Sequence, residues 1–189
     1  ARELILVLAS YFRQSLSINR PLVTLEEELS NVDNYLTLAK ARFEGDIHVT
    51  MTLPDDLTAC RLPPLLLQPL VENAVRHGRT SVDERYINLE VVQENGRIYV
   101  RVSDRGHGFP PQVLQALNDP DDQNFSGLFN VRKRLRTMYG TQCHFEITST
   151  SSGSTVSFSI PMLPPEELKR SDASCGSQLL TTKNTPAAS

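Results

Sequence analysis

The sequence predicts an α+β fold, a two-layer α/β sandwich preceded by a helical hairpin, and three observations carry that prediction. Apolar residues recur at helical spacing as far as residue 45 and then change to alternation, which marks a boundary between two kinds of structure. Two of the alternating stretches flank Asn95-Gly96, a dipeptide whose backbone preferences favour a tight antiparallel hairpin. Between the strands lies Leu65 to Gly78, LLLQPLVENAVRHG, with paired apolar residues on one side of a helix and Gln68, Glu72, Asn73, Arg76 and His77 on the other. The chain is therefore divided into a helical hairpin over 1–45, a sandwich domain over 46–163 and a disordered tail over 164–189.

In the hairpin, Leu4, Leu8, Tyr11, Phe12 and Leu16 form one helical stripe, which the stretch before Pro21 ends. Thr24 with Glu27 has the spacing of a capping box, and Leu25, Leu29, Val32, Leu36, Ala39 and Phe43 step by four and three until Gly45. Such a seam serves dimerisation or packs against its own domain. Ile47, Val49, Met51 and Leu53 alternate as a strand, and Pro63 and Pro64 suit the first turn of the helix that follows. Ile87, Leu89 and Val91, then Ile98, Val100 and Val102, are the hairpin partners. Pro110 to Leu117 reads as a short helix, residues 118–126 as polar and breaker-rich, and Gly127 to Tyr139 as helical. Phe145-Ile147 and Val156-Phe158-Ile160 flank a turn at Ser151 to Gly153. The result is an antiparallel-rich sheet covered on one face by helices. From Pro164 onward Ser, Thr, Lys, Pro and Ala occur without period.

Composition excludes several classes of function. The formal net charge is −3 with signs interspersed, so the basic footprint of a nucleic-acid binder is missing. Cys60, Cys143 and Cys175 stand far apart without a CxxC pair, which argues against a disulfide framework or a zinc site and suits a reducing cytoplasm. The longest apolar run, Leu4 to Ala9, falls far short of the ~20 residues that span a bilayer, so no direct membrane contact is expected. The chain begins mid-pattern at Ala1, as a piece of a longer protein would.

Four stretches carry chemistry. The polar side of Leu65–Gly78 is a site or a solvated face. VSDRGHGFP sets Asp104 at a strand end, followed by Gly106 and Gly108, where backbone can turn sharply or lie against a flat ligand; ordinary turns use the same residues. SGLFNVRKRLRTMYG puts Ser126-Gly127 at a helix start, where free N–H groups favour phosphate, and then Arg132, Lys133, Arg134 and Arg136, a phosphate-facing set or a solvated face. SSGSTVSFSIP is a glycine-containing hairpin before a buried strand.

In this order the four stretches resemble the ATP-binding (Bergerat-type) domain shared by histidine kinases, gyrase, Hsp90 and MutL. Within that group the chain looks most like the LytS/YehU-type sensor histidine kinases. QPLVENAVRHG (68–78) matches their N box, DRGHGF (104–109) their first glycine box, GLFNVRKRL (127–135) their second, and VTLEEELSNVDNYLTLAKARFEG (23–45) their preceding helix. The resemblance covers roughly residues 1–162.

It implies that Asn73 holds a Mg²⁺ ion bridging the ATP phosphates, through a hard amide oxygen. It implies that Arg76 and His77 approach phosphate or ribose, and that Asp104 accepts the adenine amino group. By the same match Gly106 and Gly108 lie beside the base, and Gly127, with Leu128 and Arg132 after it, belongs to the box that cups phosphate near a lid over 110–126. Thr155 is similar to the final box beside adenine. The implied activity is transfer of the ATP γ-phosphoryl group to a histidine for relay to a response-regulator aspartate, with a LytTR-type regulator and a homodimeric full-length protein. The chain would be cytoplasmic, and its longer parent would sit in the bacterial inner membrane.

Three departures qualify the match. Phe125 stands where the second glycine box usually has its first glycine. The position four before Asn73, a glutamate general base in gyrase-type ATPases, is Pro69, which favours phosphoryl transfer or binding over hydrolysis. His48, His77, His107 and His144 all lie outside the helical hairpin, and no PHFLFN-like acceptor motif is present, so the acceptor is expected upstream. The alternatives are a non-catalytic nucleotide-binding or dimerisation module and a helical scaffold without nucleotide.

Overall fold

The computed structural model describes residues 20–43, 46–118 and 126–162. The helix expected at Glu3 to Leu16, residues 119–125 of the expected lid with Phe125 among them, and the tail lie outside the described residues.

Alternation after residue 46 produces five strands: β2 (Ile47–Thr52), β4 (Arg85–Glu94), β5 (Arg97–Asp104), β6 (His144–Thr150) and β7 (Gly153–Pro161). They form one sheet in the order β2-β4-β5-β7-β6. Every pairing is antiparallel except β2 with β4, which are parallel and therefore need a crossover between them. At the β4–β5 turn Asn95 and Gly96 both take positive φ, 51° and 72°, as the expected hairpin requires. Leu89 stands opposite Val102, and Val100 stands between Val91 and Phe158, so three strands send one apolar row to the same face. On the opposite face Arg101 pairs with Glu90 at 3.3 Å in contact with solvent.

Among the described residues four helices cover the apolar face: α1 (Leu25–Arg42), α2 (Leu67–His77), α3 (Pro111–Asn118) and α4 (Ser126–Tyr139). The crossover that makes β2 and β4 parallel contains α2. Two short strands, β1 (Val23–Thr24) and β3 (Arg61–Leu62), pair antiparallel beside α1, and 3₁₀ turns occupy Asp55–Leu57 and Gly140–Gln142.

The expected capping box starts α1. Thr24 Oγ1 accepts from Glu27 N at 3.1 Å, and Glu27 Oε2 accepts from Thr24 N at 2.8 Å. Along the seam Leu25, Val32, Leu36 and Ala39 are buried in the same apolar cluster as Leu67, Leu70, Val71 and Val75 of α2 and the sheet's inner row. The core thus runs across the boundary read at residue 45. Each fully buried leucine there contributes roughly 1.5–3 kcal/mol.

One local expectation is corrected. Pro63 and Pro64 do not form the first turn of α2, which begins at Leu67. Leu65 takes φ 58°, a left-handed conformation that costs a non-glycine residue roughly 1–2 kcal/mol and breaks the chain direction between the prolines and the helix. A proline at the first helical position removes an amide that has no partner; here those amides are kept and find acceptors elsewhere.

Candidate functional site

α2 occupies the centre of the helical layer. Its apolar side, Leu67, Leu70, Val71, Ala74 and Val75, is buried on the sheet and on α1. That fixes the direction of the other side. The Asn73 side chain is half-buried there, with no hydrogen bond to any described residue, and Arg76 and His77 follow within a turn, both exposed. Gln68 Nε2 donates to Glu72 Oε1 at 2.6 Å, so Glu72 has a neighbour on its own helix.

At its C-terminal end α2 meets Asp104. Asp104 is the last residue of β5 and shares the inner face with Val100 and Val102, so its carboxylate is carried to the core side at the end of this central strand. Oδ1 accepts from Gly106 N at 2.8 Å and from Ser154 N at 3.4 Å. Oδ2 accepts from the Ser154 hydroxyl in a short contact. An ionised carboxylate offers about four acceptor sites, so capacity remains for a ligand's N–H group.

Glycines let backbone close around this carboxylate. A Cβ on Gly106 would stand 2.4 Å from the carbonyl oxygen of His77 and 2.7 Å from the Cα of Gly78. A Cβ on Gly78 would stand 2.8 Å from the Cβ of Asp104. Gly153, with φ 144°, passes so close to the backbone of Asp104 that a side chain has no room. Gly108, with φ 69°, lies against Thr150 and Ser149 of β6, and Ser149 Oγ accepts from Phe109 N at 2.6 Å. The first glycine box is thus clamped between the end of α2 and the β6–β7 hairpin.

His77 joins the two halves. Its ring tilts against Phe109, with centroids 6.0 Å apart. Partial desolvation and the adjacent Arg76 push its pKa down, while Asp104 pulls the other way.

The remaining expected residues fall in different places. Gly127 lies in the first turn of α4 beside α2, its nearest neighbour for a Cβ being Pro69 Cβ at 3.9 Å, so the start of α4 lies over the first turn of α2. Leu128 is buried in the core, and Arg132 is buried with its guanidinium 5.7 Å from the Phe129 ring. Thr155 pairs with Ser103 and alternates away from Asp104's face. The hairpin residue that reaches Asp104 is Ser154, which the sequence reading passed over. Period two from buried Val156 and Phe158 back to position 154 was the signal that could have found it.

Fold and site together define an ATP-binding catalytic domain, a helix-covered mixed sheet with a buried acceptor carboxylate among glycines. The family model for histidine kinase-, DNA gyrase B- and HSP90-like ATPases matches residues 61–164, and that for histidine kinases matches residues 1–47. The chain belongs to the histidine kinase-, DNA gyrase B- and HSP90-like ATPase family. It is 35% identical over 173 residues to the sensor protein LytS of Bacillus subtilis, covering 88% of this chain and 29% of that protein. It is 33% identical over 174 residues to the sensor histidine kinase/phosphatase LytS of Staphylococcus aureus, covering 88% of this chain and 30% of that protein. The chain therefore spans under a third of the length of these relatives. Among solved structures, the histidine kinase domain of the blue-light activated histidine kinase EL346 from Erythrobacter litoralis superposes with a TM-score of 0.59. That match has 20% identity and covers 80% of this chain and 65% of that one, a likeness of fold. Among the described residues no helix is long and apolar enough to cross a membrane.

Proposed function

We propose that the chain binds Mg-ATP along the polar side of α2 and places the γ-phosphoryl group for transfer to a histidine elsewhere in a longer sensor kinase. A response-regulator aspartate, on a LytTR-type protein, is the eventual recipient. The parent protein works as a homodimer at the bacterial inner membrane, with this part in the cytoplasm. The observation that carries the reading is Asp104: a buried carboxylate with spare acceptor capacity, walled by glycine backbone at Gly78, Gly106 and Gly153. A flat base with an exocyclic amine suits such a slot.

Asn73 fits a magnesium ligand on the chemistry of its donor. It presents a hard amide oxygen, half-buried and free of other described partners, on the same side as Arg76 and His77. Mg-ATP, when bound, supplies the phosphoryl group, with charge neutralised by the metal. The chain's own part is orientation: Asp104 fixes the base, Gly127 and the first amides of α4 offer donors to phosphate, and Arg76 adds positive charge. In the transfer an imidazole nitrogen forms the P–N bond as the bond to the β-phosphate oxygen breaks, ADP leaves and the imidazole proton passes to solvent.

Isothermal titration with Mg-ATP and with ATP in chelator tests the reading. Wild type is expected to bind with a magnesium-dependent affinity, Asn73→Ala to lose the magnesium dependence, and Asp104→Ala to lose preference for adenine over guanine nucleotides. Magnesium-dependent binding by Asn73→Ala equal to wild type would refute the role given to Asn73.

A further inference from the structure

Helix α2 has no side-chain cap of its own. Its N-cap residue is Leu66, which offers no acceptor. The free amides at this end are met instead by a carboxylate from another helix. Glu28 of α1 accepts from Leu65 N at 2.6 Å through Oε1, and from Leu66 N at 2.8 Å and Leu67 N at 2.9 Å through Oε2. Its exposure is 0%, although it stands in an acidic stretch, Glu26-Glu27-Glu28, that would ordinarily face water.

A buried charge is retained only where the fold gives it strong partners, and three successive amides leading into a helix N-terminus are such partners. Arg134 of α4 closes the same corner, its guanidinium donating to the Pro64 carbonyl oxygen. Burial pushes the Glu28 carboxyl up, while the three amides and Arg134 oppose that shift.

The position of this contact gives it meaning. Glu28 lies in the segment matched by the histidine-kinase model, and Leu65 to Leu67 lie in the segment matched by the ATPase model. The amides it holds lead into, and at Leu67 begin, the helix that carries Asn73, Arg76 and His77.

We infer that Glu28 is a positioning residue: through it α1 sets the placement of α2, and with it the side chains that face the nucleotide. The inference rests on the nucleotide reading above. A displacement of α1 that withdraws Glu28 frees the first turn of α2, and by linkage nucleotide held on α2 restrains α1 to the same degree.

Amide hydrogen exchange and Mg-ATP titration on the whole chain test it. Glu28→Gln keeps the side chain's shape but turns one acceptor oxygen into a donor; Glu28→Asp keeps the charge and withdraws it by one methylene. In both, amides at Leu65 to Leu67 are expected to exchange about tenfold faster or more while those of β4 and β5 are unchanged. The Kd for Mg-ATP is expected to rise by about tenfold in Glu28→Gln, and by less in Glu28→Asp. In wild type, saturating Mg-ATP is expected to slow exchange across Glu28 to Leu36, an arm that needs no variant.

A folded Glu28→Gln protein with lowered Tm but wild-type affinity would overturn the inference, leaving Glu28 a purely structural cap. So would a wild type that binds Mg-ATP with exchange in α1 unaltered. Failure of the wild type to bind Mg-ATP under any condition would instead fault the nucleotide reading, and the exchange at Leu65 to Leu67 would still decide whether Glu28 holds α2.

Discussion

Ser154 meets Asp104 twice: its hydroxyl donates to Oδ2, and its backbone N–H approaches Oδ1 at 3.4 Å. One residue of the β6–β7 hairpin therefore fixes both oxygens of the carboxylate proposed to read adenine. Ser154→Ala keeps the backbone contact and strips Oδ2 of its only described donor in a buried setting. The expected cost is about 1–3 kcal/mol of stability by urea denaturation, with weaker Mg-ATP binding because the carboxylate can rotate. Unchanged affinity in a folded Ser154→Ala protein would show that Asp104 is oriented without the hydroxyl.

The glycines separate into positions where space is needed and positions where it is not. Gly78→Ala drives a methyl to 2.8 Å from Asp104 Cβ and 2.3 Å from the Ala74 carbonyl oxygen, and Gly106→Ala sets one at 2.4 Å from the His77 oxygen. Both are backbone or core collisions, and thermal denaturation should show a loss of several degrees or failure to fold. Gly96→Ala meets nothing within 4 Å and bears only the strain of φ 72°, about 1 kcal/mol. Gly127→Ala meets Pro69 at an ordinary 3.9 Å in a helix, where alanine is favoured by up to about 1 kcal/mol. Gly127→Ala should be as stable as wild type or more so, and any fall in its Mg-ATP affinity then reports the proposed phosphate contact rather than the fold. A destabilised Gly127→Ala protein would contradict this placement.

Local chemistry made much of this architecture legible, and contacts across long stretches of sequence hid the rest. The Asn95-Gly96 turn, the Thr24–Glu27 box and the alternation of β4 and β5 each depend on neighbours within a few residues, and each stands as the sequence suggests. The parallel pairing of β2 with β4 depends on where the crossover helix lies, which periodicity does not specify. Glu28 was invisible for a related reason. In LEEELS three consecutive glutamates suit the first turn of any helix; spacing sets Glu28 on the face of Leu25 and Val32, but only the approach of Leu65 to Leu67 shows what partners a carboxylate has there. Of the site, the Asp104 and Gly106 motif was readable as a pattern, but its partner at Ser154 was passed over for Thr155, one residue and one sheet face away.

Removing the α1 cap should weaken the helix start without touching the sheet. Thr24→Ala loses the acceptor for Glu27 N, and the reciprocal bond to Thr24 N becomes less well held. The expected loss is about 1 kcal/mol, a fall of a few degrees in Tm. Exchange should quicken at Glu27 and Glu28 first. A Tm equal to wild type would mean that α1 is held by its buried seam alone.

His77 gives a pH-dependent readout with a defined sign. Its folded pKa lies below the ordinary imidazole value of ~6.5, so in the window between the two the unfolded chain binds a proton that the folded chain refuses. Its contribution to stability is fully present above the ordinary value and is lost as pH falls through the folded one. Its neighbours shift it in opposite directions: Arg76→Gln should raise the His77 pKa, and Asp104→Asn should lower it further. The imidazole resonance followed by NMR titration reads all three proteins. Mg-ATP bound along α2 would bring negative phosphate toward the ring and favour the imidazolium, so saturating nucleotide should raise the His77 pKa above its value in the free protein. A His77 resonance that titrates at the ordinary value in the free chain, and does not move with nucleotide, would place the ring away from both Arg76 and the phosphates.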